Sequence, residues 1–153
     1  MKALGLSLVG SGLLISSALL PAAADASAAV TYLPADKVAA AFAKGMPLLE
    51  AANYKVHASR REAAGQVEVH TRDTDIIHVL TGTATFITVG SMLGGKTIQP
   101  EEIRGTSIDG GETRKLQPGD VIIVPNGTPH WFKEVPAPMT YYVVKVRVAG
   151  DAQ

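Results

Sequence analysis

The sequence predicts an all-β domain, a sandwich or barrel of antiparallel strands, with one short helix near its start. Three observations carry that reading. From Asn53 onward helical periodicity disappears, and short runs rich in β-branched and aromatic residues take its place. Gly and Pro punctuate those runs at the close spacing that turns of a small β fold require. The stretch from Gly119 to His130, GDVIIVPNGTPH, is the clearest unit: a Gly-Asp turn, four β-branched residues and a rigid Pro125-Asn126-Gly127 turn.

The chain has 153 residues, a formal net charge of +0 and no cysteine. Lys2 gives it a basic start, and residues 3–20 are apolar with only Ser and Gly as interruptions. Pro21 and Ala22-Ala23-Ala24 follow, a small-residue cleavage pattern. This reads as a secretory signal peptide rather than a membrane span, because polar chain follows at once without stop-transfer charges. Cleavage is expected after Ala24, with Ala28 as the alternative, which sends the mature chain to the periplasm or the medium. Without cysteine there is no disulfide, no thiol nucleophile and no lipid-modified N-terminal Cys. Balanced charge gives no basic field for nucleic acid and no polybasic membrane patch. The roughly 130 residues that remain suit one domain with one core.

The division is therefore 1–24 signal peptide, 25–52 lead-in and short helix, and 53–150 the β domain. Residues 37–45, KVAAAFAKG, suit a helix stopped by Gly45. Strands are expected over 54–59, 65–71, 75–79, 82–89, 113–116, 120–125, 128–134 and 140–147. The Val121-Ile122-Ile123-Val124 run reads as a buried strand. Residues 90–111 are rich in Gly and lack periodicity, so they read as a rim loop or an insertion over an opening.

Chemistry centres on His130, which the Pro125-Asn126-Gly127 turn and Pro129 deliver into the next strand in a fixed direction. A metal ligand or catalytic base needs that fixity. Glu68 and His70 are two positions apart in a strand, so their side chains share a face. Asp75 shares its face with Ile77 and Val79, while His78 has the opposite parity and should point away. An aspartate opening a strand also commonly binds its own backbone, and Asp73 is a substitute for Asp75. His57, on an earlier strand, could reach the interior but is read as a structural or surface residue. Of Trp131 and Phe132, one should line the interior and the other pack outside. Arg104 and Arg114 are candidates to bind an acidic substrate.

The stretch from Gly119 to His130 resembles the second cupin motif, G-x5-P-x-G-x2-H-x3-N, with Gly119, Pro125, Gly127 and His130 in place and Glu134 standing for the asparagine. Residues 68–82, EVHTRDTDIIHVLTG, resemble the first motif, G-x5-H-x-H-x3,4-E-x6-G. There Glu68 takes the first histidine's slot, His70 the second, Asp75 that of the glutamate and Gly82 that of the closing glycine. Glu62 stands where the opening glycine belongs. The resemblance implies a single cupin jelly-roll barrel of two antiparallel sheets, with the site inside. It implies a divalent metal, Fe, Mn, Ni or Zn, on Glu68, His70, Asp75 and His130, with Glu68 as either ligand or general base. A burial-raised pKa would favour the base role for Glu68. The implied functions are a secreted metal-dependent oxygenase, isomerase or lyase acting on a small polar molecule, or a non-catalytic module binding a sugar or acid. A homodimer covering the open sheet edges is compatible with both.

Overall fold

The computed structural model describes residues 29–148, so the expected signal peptide, residues 1–24, lies outside the described residues. Among the described residues, one helix, α1 (Ala35–Lys44), precedes thirteen strands. They are β1 (Met46–Glu50), β2 (Tyr54–Arg61), β3 (Val67–His70), β4 (Asp73–Thr81), β5 (Ala84–Thr88), β6 (Ser91–Leu93) and β7 (Lys96–Gln99). There follow β8 (Glu102–Gly105), β9 (Ser107–Asp109), β10 (Glu112–Leu116), β11 (Val121–Val124), β12 (His130–Glu134) and β13 (Met139–Arg147). No helix among the described residues is long and apolar enough to cross a membrane.

Helix α1 has Asp36 in its first turn and Lys44 in its last, each favourable to the helix dipole. Gly45 closes it at φ 66°, donating its N–H to the Ala41 carbonyl, as a left-handed C-terminal glycine does. Its Phe42 meets Tyr142 edge to face at 4.8 Å, which seats the helix on one side of a sheet.

Two main antiparallel sheets form the body. One has the order β1-β2-β13-β4-β11 and the other β10-β5-β12-β3-β8-β7, with β6-β9 as a separate two-stranded ribbon. The two sheets are separate ladders, so the expected barrel is in fact a two-sheet jelly roll that is not closed. Between them lies the core, where Ile77, Val79, Met139, Tyr141 and Val143 of the first sheet meet Ala84, Phe86, Leu116 and Phe132 of the second. Strict alternation on β4 explains the placement: Asp75, Ile77 and Val79 are buried while His78 is exposed, as parity requires. Gly82, at φ 77°, turns the chain from β4 to β5; a Cβ there would lie 2.6 Å from the Met139 Cβ, so only glycine fits.

Three expectations are corrected. First, β11 is an edge strand and is not buried throughout: Val124 is 2% exposed, but Val121 and Ile123 are 59% and 61% exposed. Its one neighbour is β4, and a continuous apolar run does not by itself reveal that one face is bare. Second, β1 falls within the expected lead-in; Pro47 masks it in the sequence and is tolerated because β1 is an edge with an irregular register at Pro47/Leu49. Third, residues 90–111 are no loop. They contain β6, β7, β8 and β9, and β8 pairs with β3 to extend the second sheet.

Candidate metal centre

The candidate site is built from two facing rungs. Across the second sheet, His130 on β12 pairs with Glu68 on β3, and Glu68 pairs in turn with Arg104 on β8. Directly opposed residues in an antiparallel ladder hold their Cβ atoms about 4.5–5.5 Å apart, so three charged or polar groups form one row. Across the first sheet, Asp75 on β4 pairs with Lys145 on β13. His70 stands two positions beyond Glu68 on β3, on the same face.

These rungs bring all four expected residues together. His70 Nε2 lies 3.5 Å from Glu68 Oε2 and 3.5 Å from Asp75 Oδ2. His130 Nε2 lies 3.9 Å from each of the same two oxygens. Ligand atoms of Glu68, His70 and His130 all fall within 4.8 Å of one another. A tetrahedral centre with bonds of 2.0–2.2 Å has ligand–ligand edges of about 3.3–3.6 Å, so the spacing suits one divalent ion. The two rings sit 5.2 Å apart, centroid to centroid.

Local sequence explains why the rings point there. Gly127, at φ 77°, donates its N–H to the His70 carbonyl at 2.8 Å, so the turn that delivers His130 is anchored on the strand end that carries His70. Asn126 adds its backbone N–H to Thr74 Oγ1 and its side-chain amide to the Thr71 carbonyl, both at 3.2 Å. His130 Nδ1 lies 3.1 Å from the Thr128 carbonyl; that bond puts the proton on Nδ1 and leaves Nε2 with a free lone pair toward the carboxylates. His70 Nε2 is buried with no hydrogen-bond partner. A buried ring nitrogen without a partner is costly, and a metal ion would satisfy it. The residues present therefore fit a metal.

Each carboxylate also has cationic partners. Lys145 Nζ reaches both oxygens of Asp75 at 2.8 Å. Arg104 Nη1 is 2.5 Å and Arg61 Nη2 3.3 Å from Glu68 Oε1. Arg104 is further paired with Glu102. Burial pushes the Glu68 carboxyl up, but the adjacent His70 ring and the charges of Arg104, His130 and Arg61 outweigh it and hold the group down at about 2. The raised pKa that would favour Glu68 as a base is thus absent, and a permanently ionised ligand is what the surroundings favour. Burial lowers the pKa of His130, against the Thr128 hydrogen bond and the nearby carboxylates, and burial likewise lowers that of His57.

These directions fix a pH dependence. All three groups bind protons less readily folded than unfolded, so each contributes stability above its unfolded pKa and loses it on acidification. The melting temperature should be highest near neutrality. It should fall first below about pH 6.5, where the unfolded histidines charge, and again below about 4.5 as the unfolded carboxylates protonate. Thermal melts from pH 7.5 to 3 check this; a melting temperature that rises on acidification contradicts it.

Of the other expected residues, Arg104 reaches the interior cavity but Arg114 does not; it bonds Thr88 Oγ1 at 2.9 Å and pairs with Glu112. Phe132 is buried and Trp131 instead donates its Nε1–H to the Gly65 carbonyl at 2.7 Å, the division expected of the pair. His57, read as structural, lines the cavity as well, with Nε2 3.6 Å from Glu50. Asp73 is engaged by Arg147 and Lys55 and is no substitute for Asp75. Lys145 and Arg61 were not singled out. Their signal is parity: Tyr141, Val143 and Lys145 share the core-facing side of β13, and His57, Ser59 and Arg61 share one face of β2.

The chain belongs to the cupin family, whose model, described as Cupin, matches residues 26–150. No curated protein matches the sequence. Among solved structures, BH2720 from Bacillus halodurans has a TM-score of 0.51 at 13% identity, over 76% of this chain and 79% of that one. A cupin-2 domain containing protein from Shewanella frigidimarina NCIMB 400 gives 0.45 at 14% identity, over 68% and 80%. The DMSP lyase DddQ from Ruegeria pomeroyi DSS-3 gives 0.46 at 20% identity, over 67% and 41%. At these identities the likeness concerns the fold alone.

Proposed function

We propose that this cupin is an exported, divalent-metal-dependent enzyme of the oxygenase, isomerase or lyase type, acting on a small polar molecule between its sheets. The observation that carries the reading is the convergence of His70 Nε2 and His130 Nε2 on the same two carboxylate oxygens, at 3.5–3.9 Å. Glu68, His70 and His130 would hold the ion, with Asp75 as the fourth ligand. Two imidazoles with carboxylates suit Fe, Mn, Ni or Zn. When bound, the metal supplies Lewis acidity toward substrate oxygens. The protein's own part is orientation: Thr128 fixes the His130 ring, and Phe86, packed on Phe132 at 4.6 Å, lies against that ring at 6.1 Å. Elemental analysis of the mature chain after loading with each of the four metals tests this. One equivalent per chain with at least one metal is expected; no stoichiometric metal under any loading contradicts it.

The second reading is a module that binds a small sugar or acid without turning it over. It is favoured by the ion pairs of Glu68 and Asp75 with Arg104, Arg61 and Lys145, which neutralise both carboxylates without an ion. Thermal-shift screening of metal-stripped protein separates the two, since only a binder is stabilised by an organic ligand in that state. Export rests on the Lys2 start, the apolar residues 3–20 and the Ala22-Ala23-Ala24 cleavage pattern. A homodimer is part of the proposal, with the exposed edge strand β11 as the surface most in need of cover.

A further inference from the structure

Three cations from three strands line the same cavity as the candidate metal ligands. Arg61 on β2, Arg104 on β8 and Lys145 on β13 border an interior space of about 170 Å³, which Glu68, Asp75 and His130 also border. Their side chains are only 21%, 27% and 15% exposed. Charged groups buried this far are expensive unless their charge is balanced nearby. Glu68, Asp75 and Glu102 supply three negative charges against these three positive ones, so without a metal the cluster is neutral. A divalent ion on Glu68, His70 and His130 would leave two positive charges in excess inside the protein. Arg61 has in addition a buried Nε–H with no partner, while its guanidinium lies 4.5 Å from the Phe132 ring centroid and is held in place by it. Donors of this kind, clustered and partly unpaired, are what carboxylate and phosphate oxygens recognise.

We infer that the cavity is a receptor for a small dianion, a dicarboxylate or a phosphate, bound by Arg61, Arg104 and Lys145 once the metal is in place. This rests on the metal reading and narrows its substrate class from polar to doubly anionic. A metal would lie at Glu68 Oε2 and Asp75 Oδ2, the oxygens the two imidazoles face, while Arg104 and Arg61 hold Glu68 Oε1 and Lys145 holds Asp75. With the carboxylate charge then shared with the ion, the remaining donors of the three cations are left for the ligand. The cavity volume lies below the roughly 300–1,000 Å³ of drug-sized sites, which restricts the ligand to a few carbons. Because metal and anion relieve each other's charge, they bind cooperatively, and the coupling is reciprocal.

The test is calorimetric titration of the mature full chain, metal-free and metal-loaded, with malonate, inorganic phosphate and the neutral analogue malonamide, metal content being assayed before and after. Malonate or phosphate should bind the loaded protein about tenfold or more tighter than the metal-free protein, and malonamide should show no such gain. Which of the two anions binds better separates a dicarboxylate from a phosphate ligand. Arg61→Gln should weaken the anion about tenfold while metal stoichiometry stays at one, and Arg61→Lys should restore part of the loss. Arg104→Gln is the second variant, should Arg61→Gln fail to fold. A chain that takes up one metal yet binds the dianions no better than malonamide overturns the dianion receptor and leaves the metal reading standing. A chain that takes up no metal overturns both.

Discussion

Replacing His130 by alanine is expected to abolish stoichiometric metal binding, with the affinity falling by more than about 100-fold. Loss of an outer partner of a ligand typically costs 10–100-fold, and His130 would be a direct ligand. Its side chain is 4% exposed, its Nδ1 is committed to Thr128 and its Nε2 faces Glu68 and Asp75 at 3.9 Å. No neighbouring residue can substitute, since His57, the other imidazole on the cavity wall, is turned to Glu50 at 3.6 Å. His78→Ala is the control: exposed on the opposite face of β4, it should leave metal affinity unchanged. Metal titration by competition with a chromogenic chelator reads both variants. Equal affinity in His130→Ala and the parent would contradict the ligand role.

The second large effect concerns the scaffold. Phe86 is fully buried at 0% exposure, and its ring packs against Phe132 at 4.6 Å and His130 at 6.1 Å. Phe86→Ala should cost about 3–5 kcal/mol, the range for truncating a buried aromatic ring. For a domain of this size that corresponds to a fall of roughly 10–20 °C in melting temperature. It should weaken metal binding as well, since the cavity it leaves lets the His130 ring tilt. Ile123→Ala removes apolar surface of similar hydrophobicity, but at 61% exposure it should change stability by no more than about 0.5 kcal/mol. Urea denaturation of the two variants compares them directly. Similar costs for the two would mean that the core does not lie between the sheets as described.

Much of the fold was legible because its strands obey local rules. Asp75, Ile77 and Val79 alternate with exposed His78, and Gly119, Pro125 and Gly127 punctuate β11 and its turn as turn chemistry dictates. Glu68, His70 and His130 cluster, and Asp75 stands 3.5–3.9 Å from both rings, for the same reason: parity and a rigid turn are encoded locally. What was hidden was non-local. That β11 is an edge depends on which strands flank it, and VIIV reads alike at an edge and in a centre. The strands within residues 90–111 are short, and β8 becomes legible only through its pairing with β3, which brings Arg104 opposite Glu68. The charge state of Glu68 was hidden too, because burial alone raises a carboxyl. It takes His70 beside it, then Arg104 from β8, His130 from β12 and Arg61 from β2, to reverse the direction, and β8 and β12 lie far along the chain from β3.

In the proposed site two imidazoles and carboxylate oxygens meet at one ion between the sheets. X-ray absorption at the metal edge of the loaded mature chain reads that coordination directly. One metal per chain is expected, with two imidazole nitrogens at about 2.0–2.1 Å and carboxylate oxygens at about 2.0–2.2 Å, reduced to one imidazole in His70→Ala. A spectrum with no imidazole scattering, or one unchanged in His70→Ala, would contradict it.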